Sequence, residues 1–148
     1  MATTTDEAWR SAFESVFLGA VRLARILAAD LGGSVTGAGG SIVFVLASSV
    51  RVPLAELAIS NGLFPGLAGV VKTMAGELGP AGIRVNGLLP VRIATDRVRE
   101  LDALQGDPAE VRARLSEHIP LRRYGEPEEF GRAAAFVLSP PRPTSPAR

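Results

Sequence analysis

Few side chains in this sequence could carry out chemistry, and they form no obvious cluster along the chain. There is no cysteine among the 148 residues, which excludes disulfides, thiol catalysis and cysteine-based zinc sites. His118 is the sole histidine, and it lies near the predicted end of a helix, where the helix dipole favours a cation. Because His118 has no obvious partner in the sequence, we expect neither a catalytic histidine nor a metal site.

The composition indicates one small globular domain. Hydrophobic residues make up 47% of the chain and charged residues 21%, and the net charge is +1 with both signs mixed. This balance favours neither a nucleic-acid partner nor an anionic membrane surface. The first residues are polar and lack the basic region of a signal peptide, and the longest apolar run, around 42–47, is too short to span a bilayer. We therefore predict a cytoplasmic protein.

The first half of the chain predicts a long helix followed by a buried strand. Apolar residues recur at helical spacing over 4–31, and Thr4 with Glu7 is typical of a capping box. Gly32-Gly33 is expected to end this helix. The continuous apolar run 41–46 predicts a strand that is buried on both faces.

A second helix and strand follow. The helix is predicted over 57–78, with Pro65 delaying or kinking its start and Gly79-Pro80 ending it. The strand is predicted over 83–89, where Pro90 breaks it.

The rest of the chain is predicted to be helical up to a tail. Asp107-Pro108 is typical of a helix start, and that helix is expected to reach about His118. Glu126-Pro127 repeats the pattern for a last helix to about Leu138. The proline-rich tail, 140–148, is predicted to be disordered.

A βαβ unit is predicted from strand 41–46, helix 57–78 and strand 83–89. Such a unit nearly always joins two parallel strands by a right-handed crossover. Two parallel strands do not make a stable domain, because parallel sheets need more strands and cover on both faces. The sequence therefore predicts part of a larger α/β fold.

Several motifs in consistent order resemble the short-chain dehydrogenase/reductase family. The resemblance covers about residues 6–139 and is similar to the 3-oxoacyl-ACP reductase-like members. Its strongest motif is Gly82-Ile-Arg-Val-Asn-Gly-Leu-Leu-Pro90, which is similar to the family's "G-I-R-V-N-x-x-x-P-G" strand. Four further segments support it: Trp9 with Gly19, the "A-x-E-L" helix end at 72–79, Ile93-Ala-Thr-Asp96, and Ile119-Pro-Leu-Arg-Arg-Tyr-Gly-Glu-Pro-Glu-Glu.

The resemblance implies a doubly wound, three-layer Rossmann-like fold. Residues 1–139 would form the C-terminal half of that domain, without the N-terminal βαβ half and without the last strand. It also implies an oxidoreductase that binds NAD or NADP and transfers a hydride to or from a carbonyl or alcohol carbon.

The implied cofactor site is incomplete in this sequence. The family's glycine-rich turn follows a strand and opens a helix, whereas Thr36-Gly-Ala-Gly-Gly40 precedes a strand and lacks the glycine spacing. The family loop that holds the nicotinamide amide corresponds here to Pro90, Val91, Ile93 and Thr95, with Thr95 as the side-chain donor. Val91 replaces the family glycine and is expected to crowd the cofactor. We therefore expect no tight cofactor binding by this chain alone.

The implied catalytic set is also largely replaced. The family uses a Tyr with a Lys four residues later, so that the ammonium stabilises the phenolate, together with an Asn on the preceding helix. Alignment places Leu57 and Asn61 at the Tyr and Lys positions and Val16 at the Asn position. The only tyrosine, Tyr124, and the only lysine, Lys72, are far apart, so no Tyr-x-x-x-Lys pair exists anywhere in the chain.

Ser48 and Ser49 follow the strand where the family's catalytic Ser would lie. Ordinary turn chemistry is the favoured interpretation of both residues, and the loop up to Leu57 is shorter than is usual in the family, so their register is open.

Three hypotheses about function remain. The first is an oxidoreductase homologue that is truncated and inactive. The second is a non-catalytic module that pairs with itself or with a complete relative through helices 6–31 and 57–78. The third is a non-functional gene fragment. The family's pairing of these two helices between subunits makes a homo-oligomer the expected form.

Overall fold

The fold was described from a computed structural model of the chain, which describes residues 4–32 and 39–140. In chain order the helices and strands are α1 (Asp6–Ala12), α2 (Gly19–Gly32), β1 (Gly40–Val45), α3 (Ala58–Leu78), β2 (Ile83–Leu88), α4 (Asp96–Ala103), α5 (Pro108–Ser116) and α6 (Pro127–Leu138). The predicted disorder of the 140–148 tail falls, apart from Pro140, outside the described residues, as does most of the glycine-rich segment 36–40.

The first long helix is confirmed, but its cap and its middle differ from the prediction. Thr5, not Thr4, is the N-cap, and its side chain accepts from the N–H of Ala8 at 3.2 Å. A π-helical segment, Phe13–Leu18, joins α1 to α2. π-Helical turns are rare within α-helices and often occur at functional sites, and a propensity pattern does not reveal them.

The two strands pair in parallel, which confirms the predicted βαβ unit. The register aligns Gly40 with Ile83 and Val45 with Leu88, so β1 is shifted by one residue from the predicted 41–46 and β2 ends one residue earlier than 83–89. Among the described residues the sheet has these two strands only.

A close backbone approach fixes the start of this sheet. Gly39 has a φ of 68°, and a Cβ added there would lie 2.1 Å from the carbonyl oxygen of Gly82. Gly82 also has a positive φ, 74°, in the left-handed region that favours glycine. Glycine at both positions allows the chain to enter β1 directly beside the turn that precedes β2.

The core lies on one face of the sheet. Buried side chains alternate along β1, where Ile42 and Phe44 are buried while Val45 is 56% exposed. The prediction that this strand is buried on both faces is therefore wrong for the described chain. The rest of this core comes from α2, α3, β2 and the residue after β1: Ala24, Leu67, Val71, Met74, Ile83, Val85 and Leu46.

Pro65 neither delays nor splits α3, which runs through it without interruption. A proline inside a helix costs about 3 kcal/mol, because one backbone hydrogen bond is lost and the ring crowds the preceding turn. Burial of Leu63 and Leu67 on either side of Pro65 offsets this cost, since a fully buried leucine contributes about 1.5–3 kcal/mol.

The described residues divide into two compact units, each with its own contacts. The first comprises the described parts of Met1–Leu89 and Val137–Arg148, and the second is Pro90–Phe136. In the first unit Arg84 of β2 donates to the carbonyls of Val137 at 2.9 Å and Ser139 at 2.7 Å. Arg84 thus caps the C-terminal end of α6, whose last carbonyls have no partner within the helix.

The second unit is built from short capped helices. Asp107 caps α5 by accepting from the N–H groups of Ala109 and Glu110, which confirms the predicted start, although α5 ends at Ser116 rather than near His118. α6 runs to Leu138 as predicted. α4 was not predicted as a separate helix, because only its cap, Thr95, distinguishes it in a polar stretch.

Candidate functional site

Leu57 and Asn61 lie one helical turn apart at the start of α3. The N–H of Asn61 donates to the carbonyl of Leu57 at 2.9 Å. The Asn61 side chain accepts from the N–H of Leu54 at 2.9 Å and donates to the carbonyl of Leu54 at 2.8 Å. Both ends of the Asn61 amide are therefore used to close the loop that enters α3, and neither provides a charge.

A cavity of about 430 Å³ lies beside these residues, lined by Trp9, Glu56, Ala58, Asn61 and Gly62. Glu56 has a φ of 63°, in the left-handed region that costs a non-glycine residue energy. The carbonyl of Leu54 accepts from the N–H of Leu57 at 3.3 Å, so Glu56 is the third residue of a tight turn. Glu56 is the one carboxylate among the cavity's lining residues, and sequence reasoning gave no weight to it.

The two candidate serines have different surroundings. Ser49 is buried, and its hydroxyl donates to the carbonyl of Ser60 at 3.4 Å. Ser48 begins a short 3₁₀ turn and accepts the N–H groups of Arg51 and Val52 with its carbonyl. The observed contacts of both residues are those of the turn and of α3. A catalytic role for either stays a prediction.

Val16, at the position of the family asparagine, lies inside the π-helical segment and is 37% exposed. Its apolar side chain cannot hold a water by hydrogen bonding. The local backbone is therefore unusual where the family has a functional residue, while the side chain there is inert.

The segment between β2 and α4 contains the four residues predicted to contact the cofactor, Pro90, Val91, Ile93 and Thr95. Ile93 pairs with Gly125 in a short parallel bridge, in which Gly125 donates to the Arg92 carbonyl at 2.9 Å. Thr95 is the N-cap of α4, and its Oγ1 accepts from the N–H of Val98 at 3.3 Å. The Thr95 hydroxyl hydrogen remains available to an acceptor, because the bond to Val98 uses only an oxygen lone pair.

Two polar groups of this segment have unused hydrogen-bonding capacity. The N–H of Ile93 has no hydrogen-bond partner within the described residues, and with the Thr95 hydroxyl it could hold a carboxamide. Val91 is 67% exposed in the same segment. No glycine-rich turn between a strand and a helix occurs in the described residues to hold a pyrophosphate.

A buried polar cluster in Pro90–Phe136 was missed by the sequence reasoning, which considered Tyr124 only as half of a Tyr–Lys pair. The Tyr124 hydroxyl donates to Asp102 Oδ2 at 2.9 Å, and Arg92 Nη1 donates to Asp102 Oδ1 at 2.8 Å. The guanidinium of Arg112 lies 4.9 Å from the centre of the Tyr124 ring. Tyr124 and Asp102 are 1% and 2% exposed, so the carboxylate is buried with both oxygens paired.

Burial raises the pKa of Tyr124 above its ordinary value, and the hydrogen bond to Asp102 raises it further. The phenol is therefore held neutral as a donor and is not poised to act as a base near neutral pH.

A groove of about 360 Å³ opens beside this cluster, and we call it the Arg92 groove. Its lining residues all belong to Pro90–Phe136: Val91, Arg92, Ile93, His118, Ile119, Pro120, Leu121, Arg123, Gly125 and Glu129. Arg123 forms a two-point contact with Glu129, with distances of 2.7 and 2.6 Å. That contact and the N–H of Glu126 lower the pKa of Glu129 to about 2.

Two helices of the first unit leave apolar surface uncovered. Leu23, Ile26 and Leu27 of α2 are 58%, 61% and 40% exposed. A groove of about 460 Å³ between α2 and α3 is lined by Val21, Arg25, Ala28, Val70, Thr73, Met74, Glu77 and Leu78.

Across residues 4–32 and 39–140, no group of three or more His, Cys, Asp or Glu side chains could hold a metal ion. None of the helices in the same ranges is both long and apolar enough to cross a membrane.

Comparison with known proteins identifies the family. Residues 1–143 match the family model described as enoyl-(acyl carrier protein) reductase. The chain is 28% identical over 132 residues to the 7alpha-hydroxysteroid dehydrogenase of Escherichia coli K12, a match that covers 89% of this chain and 49% of that protein. It is 41% identical over 108 residues to an uncharacterized oxidoreductase of Mycobacterium tuberculosis, covering 70% of this chain and 38% of that protein.

Solved structures agree with this relationship. The NADPH-bound short chain oxidoreductase of Pseudomonas aeruginosa PAO1 superposes with a TM-score of 0.81 at 30% identity, covering 95% of this chain and 53% of that one. The L-sorbose reductase of Gluconobacter frateurii, complexed with NADPH and L-sorbose, gives a TM-score of 0.81 at 30% identity, covering 94% and 54%.

These matches confirm the predicted α/β, partial Rossmann-like fold class. The chain spans about half the length of the relatives that it matches. It belongs to the short-chain dehydrogenase/reductase family of NAD(P)-dependent oxidoreductases.

Proposed function

We propose that this chain forms the C-terminal half of an oxidoreductase domain and does not itself carry out hydride transfer by the Tyr–Lys mechanism. The observation that carries the proposal is the pair Leu57 and Asn61. These residues lie one turn apart, as the mechanism requires of a tyrosine and a lysine, but leucine has no proton to transfer. Both ends of the Asn61 amide bind Leu54, and the amide carries no charge that could replace the lysine ammonium.

NAD or NADP is the cofactor that the family relationship supports, and when bound it would supply or accept the hydride. In this chain Ile93 and Thr95 would hold the carboxamide of the nicotinamide ring, next to Pro90 and Val91. The pyrophosphate would need a glycine-rich turn from outside the described residues. We therefore propose that the chain alone binds the cofactor no tighter than roughly millimolar, worth about 4 kcal/mol.

A titration with NADPH, followed by its fluorescence, tests this proposal. A complete family member such as the Pseudomonas aeruginosa oxidoreductase, which is described as NADPH-bound, is the positive control. A micromolar dissociation constant for this chain would contradict the proposal, because it would require a phosphate site that the described residues do not provide.

Catalysis is tested separately by three variants. The double change Leu57→Tyr with Asn61→Lys should not restore carbonyl reduction to the isolated chain, because the glycine-rich cofactor half would still be missing. The lysine would also remove the acceptor that Asn61 offers to the N–H of Leu54. The Pseudomonas aeruginosa oxidoreductase is described as having an atypical catalytic centre, so family members do depart from the usual set. Turnover by the unaltered chain that is lost in Glu56→Gln but kept in Ser49→Ala would overturn the proposal and assign the acid–base role to Glu56.

The exposed apolar surface favours a second function, an interaction module. Each strand of the two-stranded sheet has an unpaired edge in the described chain, and such edges promote association. Leu23, Ile26 and Leu27 add exposed apolar area on α2. We propose that the chain associates with a second copy, or with a complete relative, through the helices predicted at 6–31 and 57–78.

Light scattering across a dilution series tests this association. Ile26→Asp should shift the chain toward monomer, because the side chain is 61% exposed in the isolated chain and its replacement leaves the core intact. Val52→Asp is the matched control, since Val52 is 64% exposed but lies in a loop outside both helices. Equal effects of the two changes, or a monodisperse monomer with a sharp melt, would contradict the interaction module.

A further inference from the structure

The Arg92 groove combines apolar walls with one well-placed guanidinium. Val91 and Leu121 are 67% and 75% exposed, and they line the groove together with Ile119 and Pro120. Exposed apolar residues that converge on one concave surface favour a ligand rather than random exposure. The basic residue that is held in place at this groove is Arg92.

Arg92 is oriented by buried groups behind it. Its Nη1 is fixed by Asp102, whose other oxygen is fixed by the Tyr124 hydroxyl. The Arg92 side chain is 27% exposed, while the Asp102 side chain is 3% exposed and does not line the groove. A guanidinium has five N–H donors and only one contacts Asp102, so four remain for a ligand of the groove that Arg92 lines.

The other charged residues of the groove do not compete for this role. Arg123 uses both terminal nitrogens on Glu129, which itself lines the groove, so a second carboxylate at Arg123 would meet the charge of Glu129. The Nδ1 of His118 lies 3.3 Å from the carbonyl of Arg114, and it donates, since a carbonyl can only accept. Arg92 is therefore the lining guanidinium whose carboxylate partner does not itself line the groove.

We propose that the Arg92 groove binds a small amphipathic carboxylate. The carboxylate accepts a hydrogen-bonded fork from Arg92, and the short apolar chain packs against Val91, Ile119 and Leu121. A guanidinium recognises a carboxylate better than an ammonium does, because two parallel N–H groups match its two oxygens. Val91 and Ile93 also belong to the segment that the proposed function assigns to the cofactor. Binding of the carboxylate itself requires neither a cofactor nor hydride transfer, so it can be tested without NADPH.

Binding to the full chain can be measured by calorimetry with four probes. Hexanoate should bind about tenfold or more tightly than hexanol, which lacks the charge, and than hexylammonium, which has the opposite charge. Acetate should also bind at least several-fold more weakly than hexanoate, because it lacks the apolar chain. Equal affinity for hexanoate and hexylammonium would overturn the proposal.

Two variants locate the site. Leu121→Asp places a negative charge on the groove wall and should weaken hexanoate binding about tenfold, while Leu104→Asp should leave it unchanged. The control is matched, since Leu104 is 81% exposed in the same unit but does not line the groove.

Arg92→Lys keeps the charge beside Asp102 but removes the fork, and it should also weaken hexanoate binding several-fold. Equal affinities in Leu121→Asp and Leu104→Asp, or hexanoate binding unchanged in Arg92→Lys, would place the ligand elsewhere and refute the assignment.

Discussion

Replacing Tyr124 by phenylalanine removes one hydrogen-bond donor from the interior of Pro90–Phe136 and leaves the ring in place. The lost bond is the 2.9 Å contact to Asp102, a carboxylate that stays buried in the variant. A hydrogen bond to a charged group contributes about 1.5–3 kcal/mol. The contact of Arg112 with the ring, at 4.9 Å, is retained by phenylalanine and should not add to the loss.

The expected effect of Tyr124→Phe is therefore a loss of about 1.5–3 kcal/mol, against a typical net stability of roughly 5–15 kcal/mol. Asp102 belongs to α4 and Tyr124 to the segment before α6, so the loss should loosen the attachment of α4. Hydrogen exchange of the α4 amides measures it directly. These amides should exchange about tenfold to a hundredfold faster in the variant, as the free-energy loss requires.

Arg97→Ala provides the control on the same helix. It removes an ion pair with Glu100 whose side chains are 71% and 66% exposed, and such pairs contribute about 0–1 kcal/mol. If the α4 amides exchange no faster in Tyr124→Phe than in Arg97→Ala, the buried cluster does not hold α4 and the reasoning fails.

Three other changes give separate tests. Gly69→Ala should raise the free energy of unfolding by about 0.5–1 kcal/mol, because a Cβ there meets nothing within 4 Å. Gly66→Ala should give no such gain, because its Cβ would lie 2.9 Å from the Phe17 ring. Urea unfolding of the two variants measures the difference. Arg84→Ala removes the cap of α6 and should lower the free energy of opening at that helix end by about 1–3 kcal/mol. The amides there should then exchange faster, and unchanged exchange would refute the cap. The pKa of Tyr124 is raised in the folded state, so its contribution to stability is fully present below pH 10 and is lost as pH rises through the folded-state pKa. The loss of stability with rising pH should therefore be shallower in Tyr124→Phe, as measured by alkaline unfolding with circular dichroism. Identical curves for the two proteins would contradict this assignment.

Local sequence patterns were sufficient for the main elements. The bounds of the predicted helices and strands were right to within one or two residues. The signals were the helical spacing of apolar residues, the apolar runs at 41–46 and 83–89, and the Asp107-Pro108 helix start. These signals act over a few residues of chain, so the backbone follows them wherever packing agrees. The motif at 82–90 was enough to indicate the family, because it occurs on a strand with its neighbours in consistent order.

The same patterns failed where neighbouring groups compete or where contacts span many residues. The capping-box pattern favoured Thr4, because Glu7 follows it by three residues, yet the helix starts one residue later with Thr5 as its cap. Asn61 aligns with a catalytic position, but only the folded loop shows that its amide is used by Leu54. Each of these outcomes depends on the three-dimensional path of a loop or helix end, which no local propensity encodes.

The sequence alone determined that the chain has no Tyr-x-x-x-Lys pair, since its only tyrosine and its only lysine lie far apart. Only the tertiary structure brought Arg92, Asp102 and Tyr124 together, from three segments up to 32 residues apart along the chain. Tyr124 is a lone aromatic residue in a polar stretch, and nothing nearby in sequence indicates its partners. Burying a carboxylate is favourable only when both oxygens find donors, and those donors are supplied by the fold and not by neighbouring residues in the sequence.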